Sequence, residues 1–415
     1  MLYREINECR ICGNKNLYKV VELGDMALTG VFPNKEEVVE KGPLTLLKCD
    51  ERDGISCGLL QLAHNYTPEK LYGDNYGYRS GLNRSMVAHL AGIVTQIKNK
   101  VELKKGDVVL DIGSNDGTLL GLYDIEGLEY VGIDPTIKKF GFYYKQEIKK
   151  IPEFFSSKVF KESVGNKKAK VITSIAMFYD LEHPLDIMSQ IYEVLTDDGI
   201  WVLEQSYMPR MIDNVSYDTI CHEHLEYYTI RQFSWMASRI GMKIVDIELN
   251  EANGASFRVT LAKKESLLKS NEKMVRAIVE AEEARNLSDP KTYEDFNKAI
   301  FKHKSELIEF VAKAKMEGKT VYGYGASTKG NVIIQLCNFT KNDLLAIGEV
   351  NDYKFGRFAP GTDIEIIPES EVKSRKPDYL LVLPWHFKDN IIGKEQEYLA
   401  GGGKLVFPLP KIEVV

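Results

Sequence analysis

Long apolar runs, a strong charge excess and abundant cysteine are all missing from this chain of 415 residues. Its apolar stretches, such as residues 379–385, are too short to cross a bilayer, which excludes a membrane-spanning protein. The opening residues, MLYREINECR, are charged and form no apolar core, so we see no secretory signal and expect a cytoplasmic protein. Lysine and arginine total 54 and aspartate and glutamate 60, a net charge of −6 that argues against a nucleic-acid or membrane partner.

The remaining composition is that of an ordinary globular protein. Hydrophobic residues make up 44% and charged residues 27% of the chain, a balance that excludes bulk disorder. At roughly 150 residues per domain, the length predicts two to three domains.

Four of the six cysteines lie within the first 57 residues, at Cys9, Cys12, Cys49 and Cys57. Without an export signal, such a cluster favours metal binding over disulfides. Cys9 and Cys12 form the C-x-x-C-G pattern of a zinc knuckle, and the polar insert between Cys49 and Cys57 can loop out. An all-thiolate set leaves no open position, so we predict a structural zinc whose loss lowers folded yield before it changes the mechanism. The alternative is four buried, reduced thiols, and His64 is a possible substitute ligand.

The order of apolar and polar segments predicts an α/β protein with a small N-terminal module. Short apolar runs alternate with helical or loop segments from about residue 107 to 263, which is the pattern of a parallel, doubly wound sheet. The Tyr-, Gly- and Asn-rich segment 71–86 suits a binding loop. We divide the chain into a cysteine-rich module at 1–70, a central α/β domain at 71–265, a charged helical connector at 266–318 and a second α/β domain at 319–415.

A nucleoside site is predicted where the first central strand enters a glycine-bearing turn, VVLDIGSNDG at 108–117. The turn lacks the G-x-G-x-x-G fingerprint of dinucleotide sites, so it suits a ligand without a pyrophosphate. Gly113 leaves room for an adenosyl group and Gly117 lets the backbone approach a methionine moiety, while Asp134, ending the next apolar run, can accept both ribose hydroxyls. These features predict S-adenosylmethionine (SAM). The expected SAM contacts are Asp111, Gly113, Asn115, Gly117, Asp134, Pro135, Ser174 and Met177.

A His-Glu-His cluster, CHEHLEYY at 221–228, holds two of the seven histidines. The spacing differs from the H-E-x-x-H of zinc proteases, so a helical metal site is excluded. In an extended segment, His222 and His224 would share one face while Glu223 faces the other. Three titratable groups beside a nucleoside domain indicate acid-base chemistry, and the alternative is a helix start capped by His222.

The second α/β domain opens with another glycine-rich turn, YGYGASTKGN at 322–331. Small residues there expose backbone amides at a helix N-terminus, and Lys329 adds positive charge, which together indicate an anion site. NAD is the rival ligand, but the third glycine falls two residues later than G-x-G-x-x-G requires. Arg357, further along the chain, is a candidate for the polar rim of this site.

With these motifs taken together, the chain resembles the sugar C-methyltransferases of deoxysugar biosynthesis over nearly its whole length. The resemblance rests on the order of C-x-x-C-G, CGLLQL, YGYRSG, VLDIGSNDGT, GIDP, CHEHLEYY, GYGASTKGN, GRFAPGT and LVLPWHF. It implies an N-terminal zinc-binding module, a central SAM-dependent methyltransferase domain and a C-terminal Rossmann-like domain. The implied substrate is a nucleotide-linked ketosugar, commonly a thymidine-diphosphate sugar, bound between the domains.

The resemblance also implies residue roles. It makes the four N-terminal cysteines zinc ligands and His224 the catalytic base, with Glu223, Tyr78 and His183 around the sugar. The expected contacts to the rest of the substrate are Tyr76, His222, Lys329, Asn331 and Arg357. This chain departs from the family pattern in the wide spacing of Cys49 and Cys57, and in Cys221, where family members often carry tyrosine.

The implied chemistry needs a base but no metal. A positioned histidine removes a proton from the carbon beside a ketone, and the resulting enolate attacks the sulfonium methyl, with Tyr78 or His183 donating to the enolate oxygen. Three alternatives stay open: a sugar O-methyltransferase, an NAD-dependent sugar oxidoreductase and a zinc-dependent nucleic-acid binder with a degenerate methyltransferase fold. We expect a monomer or a weak homo-oligomer.

Overall fold

The structure is a computed structural model that describes residues 1–72 and 76–415. Residues 73–75, which belong to the binding loop expected at 71–86, lie outside the described residues. In the described ranges, no helix combines the length and the apolar character needed to cross a membrane.

The N-terminal module is built from short antiparallel strands around the cysteine-bearing loops. Its elements are β1 (Tyr3–Glu5), β2 (Leu17–Ala27), β3 (Lys41–Cys49), β4 (Leu60–Leu62), β5 (His64–Tyr66) and the single turn α1 (Pro68–Leu71). Strands β2, β3 and β4 pair antiparallel in sequence order, and β1 pairs with β5. The module is too small for a deep core of its own, so it packs against the rest of the chain.

The central domain is a seven-stranded sheet flanked by helices. Its strands are β6 (Val108–Ile112), β7 (Glu129–Ile133), β8 (Lys149–Ile151), β9 (Ala169–Ile175), β10 (Leu195–Ser206), β11 (Glu226–Tyr227), β12 (Met242–Asn250) and β13 (Ser256–Lys263), of which all but β11 form this sheet. Its helices are α2 (Arg84–Lys100), α3 (Thr118–Gly121), α4 (Ile137–Phe140), α5 (Ser157–Val164), α6 (Pro184–Val194), α7 (Met208–Asp213) and α8 (Ile230–Ile240).

The strand order of the central sheet is β12-β13-β10-β9-β6-β7-β8. Strands β6 to β10 pair in parallel and β13 runs antiparallel to both of its neighbours. Every residue of β6 is buried because helices cover both faces, which explains the continuous apolar run at that strand. The carboxyl ends of β6, β7, β9 and β10 therefore meet at one edge, where ligands bind in such sheets.

One strand of the central part of the chain leaves its own sheet. Strand β11 pairs antiparallel with β4 and completes the N-terminal sheet in the order β11-β4-β3-β2. The His-Glu-His cluster lies directly before β11 in the chain. The pairing of β11 with β4 therefore places this cluster next to the N-terminal module. The module proposed at 1–70 is thus not self-contained.

The C-terminal part begins with two long helices, α9 (Glu272–Glu283) and α10 (Pro290–Met316), in the range expected to be a helical connector. The second sheet has the strands β14 (Val321–Tyr324), β15 (Ile347–Glu349), β16 (Ile366–Pro368), β17 (Tyr379–Val382), β18 (Lys404–Phe407) and β19 (Glu413–Val414). Its helices are α11 (Thr328–Leu336), α12 (Glu369–Ser374), α13 (Lys388–Lys394) and α14 (Gln396–Ala400). The order β16-β15-β14-β17-β18-β19 is that of a Rossmann-like sheet, with β19 antiparallel.

Two apolar cores cross the domain borders. Leu44 of the N-terminal sheet, Tyr217 of the central part and Leu380 of the C-terminal sheet belong to one buried cluster. Cys9 belongs to a second cluster that includes Trp201 of the central sheet. The domains are therefore packed against one another through buried apolar surface, the main stabilising term in folding.

Candidate functional site

The four N-terminal cysteines form one cluster. Their sulfur atoms all lie within 4.8 Å of one another, with Cys9 and Cys57 sulfurs 3.5 Å apart and Cys12 and Cys49 sulfurs 3.6 Å apart. Tetrahedral zinc–thiolate bonds of about 2.3 Å place sulfurs roughly 3.8 Å apart, so the set fits zinc. Cys49 belongs to the cluster despite the wide spacing to Cys57, because the insert between them loops out as a turn. The zinc prediction from the sequence is confirmed in its ligand set.

The glycine-bearing turn lies at the carboxyl end of β6, as expected for the SAM site. The Asp134 carboxylate, at the end of β7, accepts hydrogen bonds from the Asn115 amide at 2.8 Å and from the Thr136 amide at 2.6 Å. Burial raises the pKa of Asp134, since taking a charge out of water is costly. Asp134, which is expected to bind the ribose, is thus hydrogen-bonded to the turn itself.

Asp111 is buried in strand β6, two residues before Gly113 of the turn. Its carboxyl accepts from the Thr173 hydroxyl at 2.6 Å, and burial raises its pKa to about 7. Gly113 has a φ of +72°, and a Cβ there would lie 2.9 Å from the side chain of Met177. Gly113 and Met177 are therefore neighbours at the carboxyl end of the sheet, and their contact with SAM stays a prediction.

One expectation at this turn needs correction, and Gly117 has a structural requirement of its own. Ser174 was expected to contact SAM, but it is fully buried and its hydroxyl accepts a hydrogen bond from the Trp201 indole at 2.9 Å. Strand alternation turns it away from the strand edge. A Cβ at Gly117 would meet Tyr144 of the protein at 2.7 Å, while the approach of the Gly117 backbone to the ligand stays a prediction. The need for glycine at 117 comes from this tyrosine and from a φ of +75°.

The segment carrying Tyr78 is held against the SAM turn. The Asn115 side chain accepts from the Ser80 amide at 3.0 Å and donates to the Tyr78 carbonyl at 3.2 Å. The Asp116 carboxylate accepts from the Gly81 amide at 2.9 Å. Tyr78 is 49% exposed, so its hydroxyl-bearing ring is accessible beside the predicted cofactor site. Asn115 thus acts by positioning this segment.

The two histidines of the His-Glu-His cluster bond to different parts of the molecule. His222 Nε2 lies 3.3 Å from the Gly42 carbonyl, and its Nδ1 accepts from the Thr29 amide at 3.3 Å. Burial lowers the pKa of His222 to about 4. Both ring nitrogens are occupied within the protein, which removes His222 from the expected substrate ligands.

His224 is partly buried and faces the opposite way. Its Nδ1 lies 2.9 Å from the Thr219 carbonyl, and its ring contacts Tyr179 with centroids 4.3 Å apart. A carbonyl only accepts, so Nδ1 carries the hydrogen and Nε2 keeps a lone pair. Burial, aided by the positive charge of Lys329, lowers the pKa of His224 to about 3. The imidazole is therefore neutral and able to take a proton.

The expectation that His222 and His224 share one face of an extended segment is wrong. The backbone bends at His222 and Glu223 and becomes a strand only at Glu226. His222 and Glu223 instead share a partner, because Thr29 Oγ1 lies 3.2 Å from His222 Nδ1 and 3.4 Å from Glu223 Oε2.

The Glu223 carboxyl lies directly over Gly30 of the N-terminal module. A Cβ at Gly30 would sit 2.0 Å from Glu223 Oε1, so glycine is needed there to make room for the acid. Burial raises the pKa of Glu223. No local pattern in the sequence connects these two positions, which are brought together by the pairing of β11 with β4.

The C-terminal domain adds Lys329 and Asn331 to the same region. Lys329, in the first turn of α11, donates to the Asn253 carbonyl at 2.7 Å, and burial lowers its pKa. Asn331 donates to the Thr29 carbonyl at 2.8 Å. Arg357 donates to the Phe32 carbonyl at 2.9 Å and lies over the Tyr353 ring. Arg357 thus ties the N-terminal module to the C-terminal domain.

Tyr76 and His183 differ in their surroundings. Tyr76 is partly buried, forms an isolated bridge with Val31 and contacts the Tyr72 ring at 5.5 Å. Burial, with the nearby Asp134 carboxylate, raises its pKa. His183 is exposed at the start of α6 and makes no side-chain cap there. The structure therefore brings Tyr76 toward the site and leaves His183 at its margin.

Several buried polar atoms have no hydrogen-bond partner among the residues that the structure describes. These atoms are Asp180 Oδ1, Asp218 Oδ1, Asn331 Oδ1 and His386 Nδ1. Asp180 follows Tyr179 and Asp218 precedes Thr219, and burial together with the positive charge of Lys329 lowers the pKa of both His386 and His224. Unsatisfied buried polar groups are costly, so each of these atoms is a candidate to bind a polar ligand or a water molecule.

The sequence did not single out Asp180, Asp218 or His386 as site residues. The Asp180 carboxyl accepts from the Tyr72 hydroxyl at 2.9 Å, and Asp218 accepts from the Trp385 indole at 2.7 Å. Single aspartates in loops carry no spacing signal. Only the LPWHF string at 383–387 pointed toward His386.

The glycine-rich turn of the C-terminal domain is filled by the protein itself. The Ala326 amide donates to Glu349 at 2.9 Å, the Lys354 ammonium donates to the Ala326 carbonyl at 2.7 Å, and a Cβ at Gly325 would meet Pro384 at 2.8 Å. These contacts occupy the groups that would hold a dinucleotide pyrophosphate, so they argue against NAD.

Three family models match consecutive parts of the chain. They are described as "Putative zinc binding domain" at residues 9–72, "Methyltransferase domain" at 83–247 and "C-methyltransferase C-terminal domain" at 251–410. The first model covers the four-cysteine cluster, the second the glycine-bearing turn and His224, and the third Lys329 and His386.

Similar proteins are found among curated sequences and solved structures. The C-methyltransferase NovU of Streptomyces niveus is 27% identical over 415 residues, covering 100% of this chain and 98% of NovU. The plantazolicin methyltransferase BpumL in complex with SAH is 14% identical, with a TM-score of 0.35 over 42% of this chain and 82% of its own. LepI in complex with SAM is 13% identical, with a TM-score of 0.34 over 44% of this chain and 54% of its own. These three matches, in this order on one chain and together with the full-length similarity to NovU, support a SAM-dependent methyltransferase with an N-terminal zinc-binding domain.

Proposed function

We propose that the protein methylates a carbon next to the ketone of a nucleotide-diphosphate-linked ketosugar, with a thymidine-diphosphate 4-keto-deoxysugar as the favoured substrate. The observation that carries the proposal is the state of His224: its Nδ1–H is used by the Thr219 carbonyl, and its Nε2 has no hydrogen-bond partner among the residues that the structure describes. A neutral imidazole held in one tautomer is suited to general-base chemistry.

In the proposed reaction, His224 Nε2 removes a proton from the carbon beside the ketone. The electrons of that C–H bond form an enolate, whose carbon bonds to the methyl group while the methyl–sulfur bond breaks. Bound SAM supplies this methyl on a positively charged sulfur. The proton on His224 then leaves to solvent, which returns the base to its neutral form.

The developing enolate charge needs a partner in the pocket. The Lys329 ammonium is partly buried, lies near His224 and uses one of its three donors on the Asn253 carbonyl. A cation in a dry pocket stabilises a developing oxyanion strongly. We assign this role to Lys329, with the accessible Tyr78 as the second donor. His183, the other donor that the family resemblance implied, is exposed at the start of α6, so we do not assign it this role.

A sugar substrate is supported by the unsatisfied buried polar atoms of the protein. Asp180, Asp218, Asn331 and His386 together offer unsatisfied acceptors and one ring nitrogen, which match the hydroxyl groups of a sugar.

The test is mass spectrometry of candidate nucleotide-ketosugars incubated with the protein and SAM. We expect one added methyl on a thymidine-diphosphate 4-ketosugar and none on the matching 4-hydroxy sugar, which lacks the acidic proton. NMR then locates the methyl on carbon. A methyl found on oxygen would identify a sugar O-methyltransferase, and methylation of the 4-hydroxy sugar would overturn the enolate mechanism.

A further inference from the structure

Arg10 lies between the zinc ligands Cys9 and Cys12 but points away from the metal. Its buried guanidinium donates to the Leu62 carbonyl at 2.7 Å, to the His64 carbonyl at 3.2 Å and to the Leu225 carbonyl at 3.4 Å. The side chain of Arg10 is 2% exposed. One residue of the zinc knuckle therefore contacts the backbone next to His224.

A second contact joins the other zinc loop to the same segment. The Cys57 carbonyl accepts from the Gln232 side chain at 2.8 Å. The other end of that side chain accepts from the Thr229 amide at 2.8 Å, closing the capping box of α8. Glu51 of the same loop also pairs with Arg231. The segment 225–232 is thus held by both zinc loops.

His224 stands immediately before the segment held in this way. The Leu225 carbonyl accepts from the Leu62 amide at 2.8 Å, and the Leu225 amide donates to the Tyr179 carbonyl at 2.8 Å. Glu226, next in line, is buried, and its carboxylate lies 3.9 Å from Arg10 Nε. Leu225, the residue directly after His224, is therefore held by Arg10 and Leu62 through its carbonyl and by Tyr179 through its amide.

We propose that the zinc cluster positions His224 through the segment 225–232, with Arg10 and the Cys57 carbonyl as the links. Zinc binding then determines how closely His224 approaches the substrate. Zinc fixes Cys9 and Cys12, which fix the path of Arg10, and zinc at Cys57 fixes the carbonyl that holds Gln232. This inference rests on the proposed role of His224. Arg10 is a positioning residue, since it touches neither substrate nor cofactor.

A small displacement of His224 is expected to lower turnover strongly, because proton transfer takes place only over a short distance. A displacement of about 1 Å between a base and its proton costs on the order of 10² in rate. The SAM turn, in contrast, depends on Asp134 and Asn115, which the zinc loops do not contact. Loosening the zinc loops is therefore expected to impair turnover while leaving SAM binding intact.

The experiment compares Arg10→Gln and Gln232→Met with two controls. Arg52→Gln removes an exposed arginine of the same zinc module, paired with Asp50, that makes no contact with the segment 221–232. Thr229→Val removes the cap hydroxyl on Gln232 and keeps the contact to Cys57. Each full-length variant is measured for zinc content, SAM affinity, melting temperature, kcat and KM, and for deuterium exchange of residues 221–232 by mass spectrometry.

We expect both Arg10→Gln and Gln232→Met to retain zinc and to bind SAM within about twofold of wild type, while kcat falls by roughly tenfold or more. Exchange at 221–232 should quicken in both and stay unchanged in Arg52→Gln, with Arg10→Lys recovering part of the protection. Chelating zinc from wild type should produce the same local exchange with SAM still bound. The exchange readout needs no substrate, so it tests the link even if the proposed ketosugar is wrong.

Unchanged exchange and unchanged kcat in both variants would overturn the proposal. Loss of zinc or SAM affinity in parallel with kcat would assign Arg10 to general folding instead and would also overturn it. Should Arg10→Gln fail to fold, Gln232→Met and the chelated wild type decide. Turnover that persists in His224→Asn contradicts the proposed function, whereas slow exchange in every zinc-loop variant contradicts only the link.

Discussion

The Nδ1 atom of His224 lies 2.9 Å from the carbonyl oxygen of Thr219. Because the carbonyl is only an acceptor, this contact selects the tautomer in which Nε2 carries the lone pair. The turn that supplies Thr219 also supplies Asp218, which accepts from Trp385 of the C-terminal domain. The protonation state of the candidate base is therefore set by a contact that depends on the packing of two domains.

Replacing His224 by asparagine is expected to lower methyl transfer by roughly 10²–10⁴, because asparagine cannot accept the proton. SAM affinity should hold, since Asp134 and the glycine-bearing turn are untouched. In deuterated water with an unreactive SAM analogue, wild type should exchange the proton beside the ketone and the variant should not. His183→Asn is the control and should stay near wild type. Near-normal turnover in His224→Asn would move the base to Tyr78 or His183.

Replacing Asp134 by alanine is expected to weaken SAM binding by about tenfold or more, the worth of a charge-assisted hydrogen bond of roughly 1.5–3 kcal/mol. The loss has a second source, because Asp134 also holds the Asn115 amide of the turn. Calorimetry of SAM binding measures the change, with the exposed Asp198→Ala as the control. Equal affinity in Asp134→Ala and wild type would place the nucleoside elsewhere.

Replacing Lys329 by methionine should lower kcat and move the acid limb of the pH profile upward. His224 accepts a proton only when neutral, so activity is lost as pH falls through its pKa, which Lys329 helps to hold at about 3. Without the ammonium that pKa rises, and the loss begins at higher pH. Profiles of kcat/KM against pH test this, with Lys388→Met, at a half-buried lysine paired with Glu413, as the control. An unmoved acid limb would show that Lys329 does not act on His224.

Replacing Gly30 by alanine should displace Glu223, because the added Cβ would lie 2.0 Å from Oε1 of the acid. We expect KM to rise or kcat to fall by about tenfold, a typical cost of misplacing a group in an active site. Gly92→Ala is the matched control, since a Cβ there meets nothing within 4 Å. Identical kinetics in the two variants would show that the position of Glu223 is not important for turnover.

Burial of neutral His222 predicts a pH dependence of stability. The unfolded chain takes up a proton below about pH 6.5, whereas His222 in the folded chain stays neutral down to about 4. Folding stability attributable to His222 therefore decreases as pH falls through this window, with a slope of up to about 1.4 kcal/mol per pH unit. Urea unfolding between pH 7.5 and 5 should give a shallower slope for His222→Gln. Equal slopes would mean that His222 is protonated in the folded protein.

Features that depend on short spacing or on residue chemistry could be predicted from the sequence. The cysteine set, the strand-turn at 108–117 and Asp134 after the next strand were located without structure, because thiolates and strand ends leave local patterns. Ser174 was misassigned because periodicity alone does not tell which face of a buried strand meets a ligand. The metal ligands and the strand-turn could therefore be predicted from the sequence, whereas the orientation of Ser174 could not.

Relationships across long sequence separations were decided by the tertiary structure alone. His222 bonds Thr29 across 193 residues, and Glu223 needs the empty space at Gly30, yet neither pair leaves a periodic signal. Strand β11 leaves the central sheet for the N-terminal one, which separates His222 from His224 although they are two residues apart. The sequence by itself determined the types of chemistry that this chain can carry. The packing of its three domains decided which groups meet, because buried polar atoms must find partners wherever the fold places them.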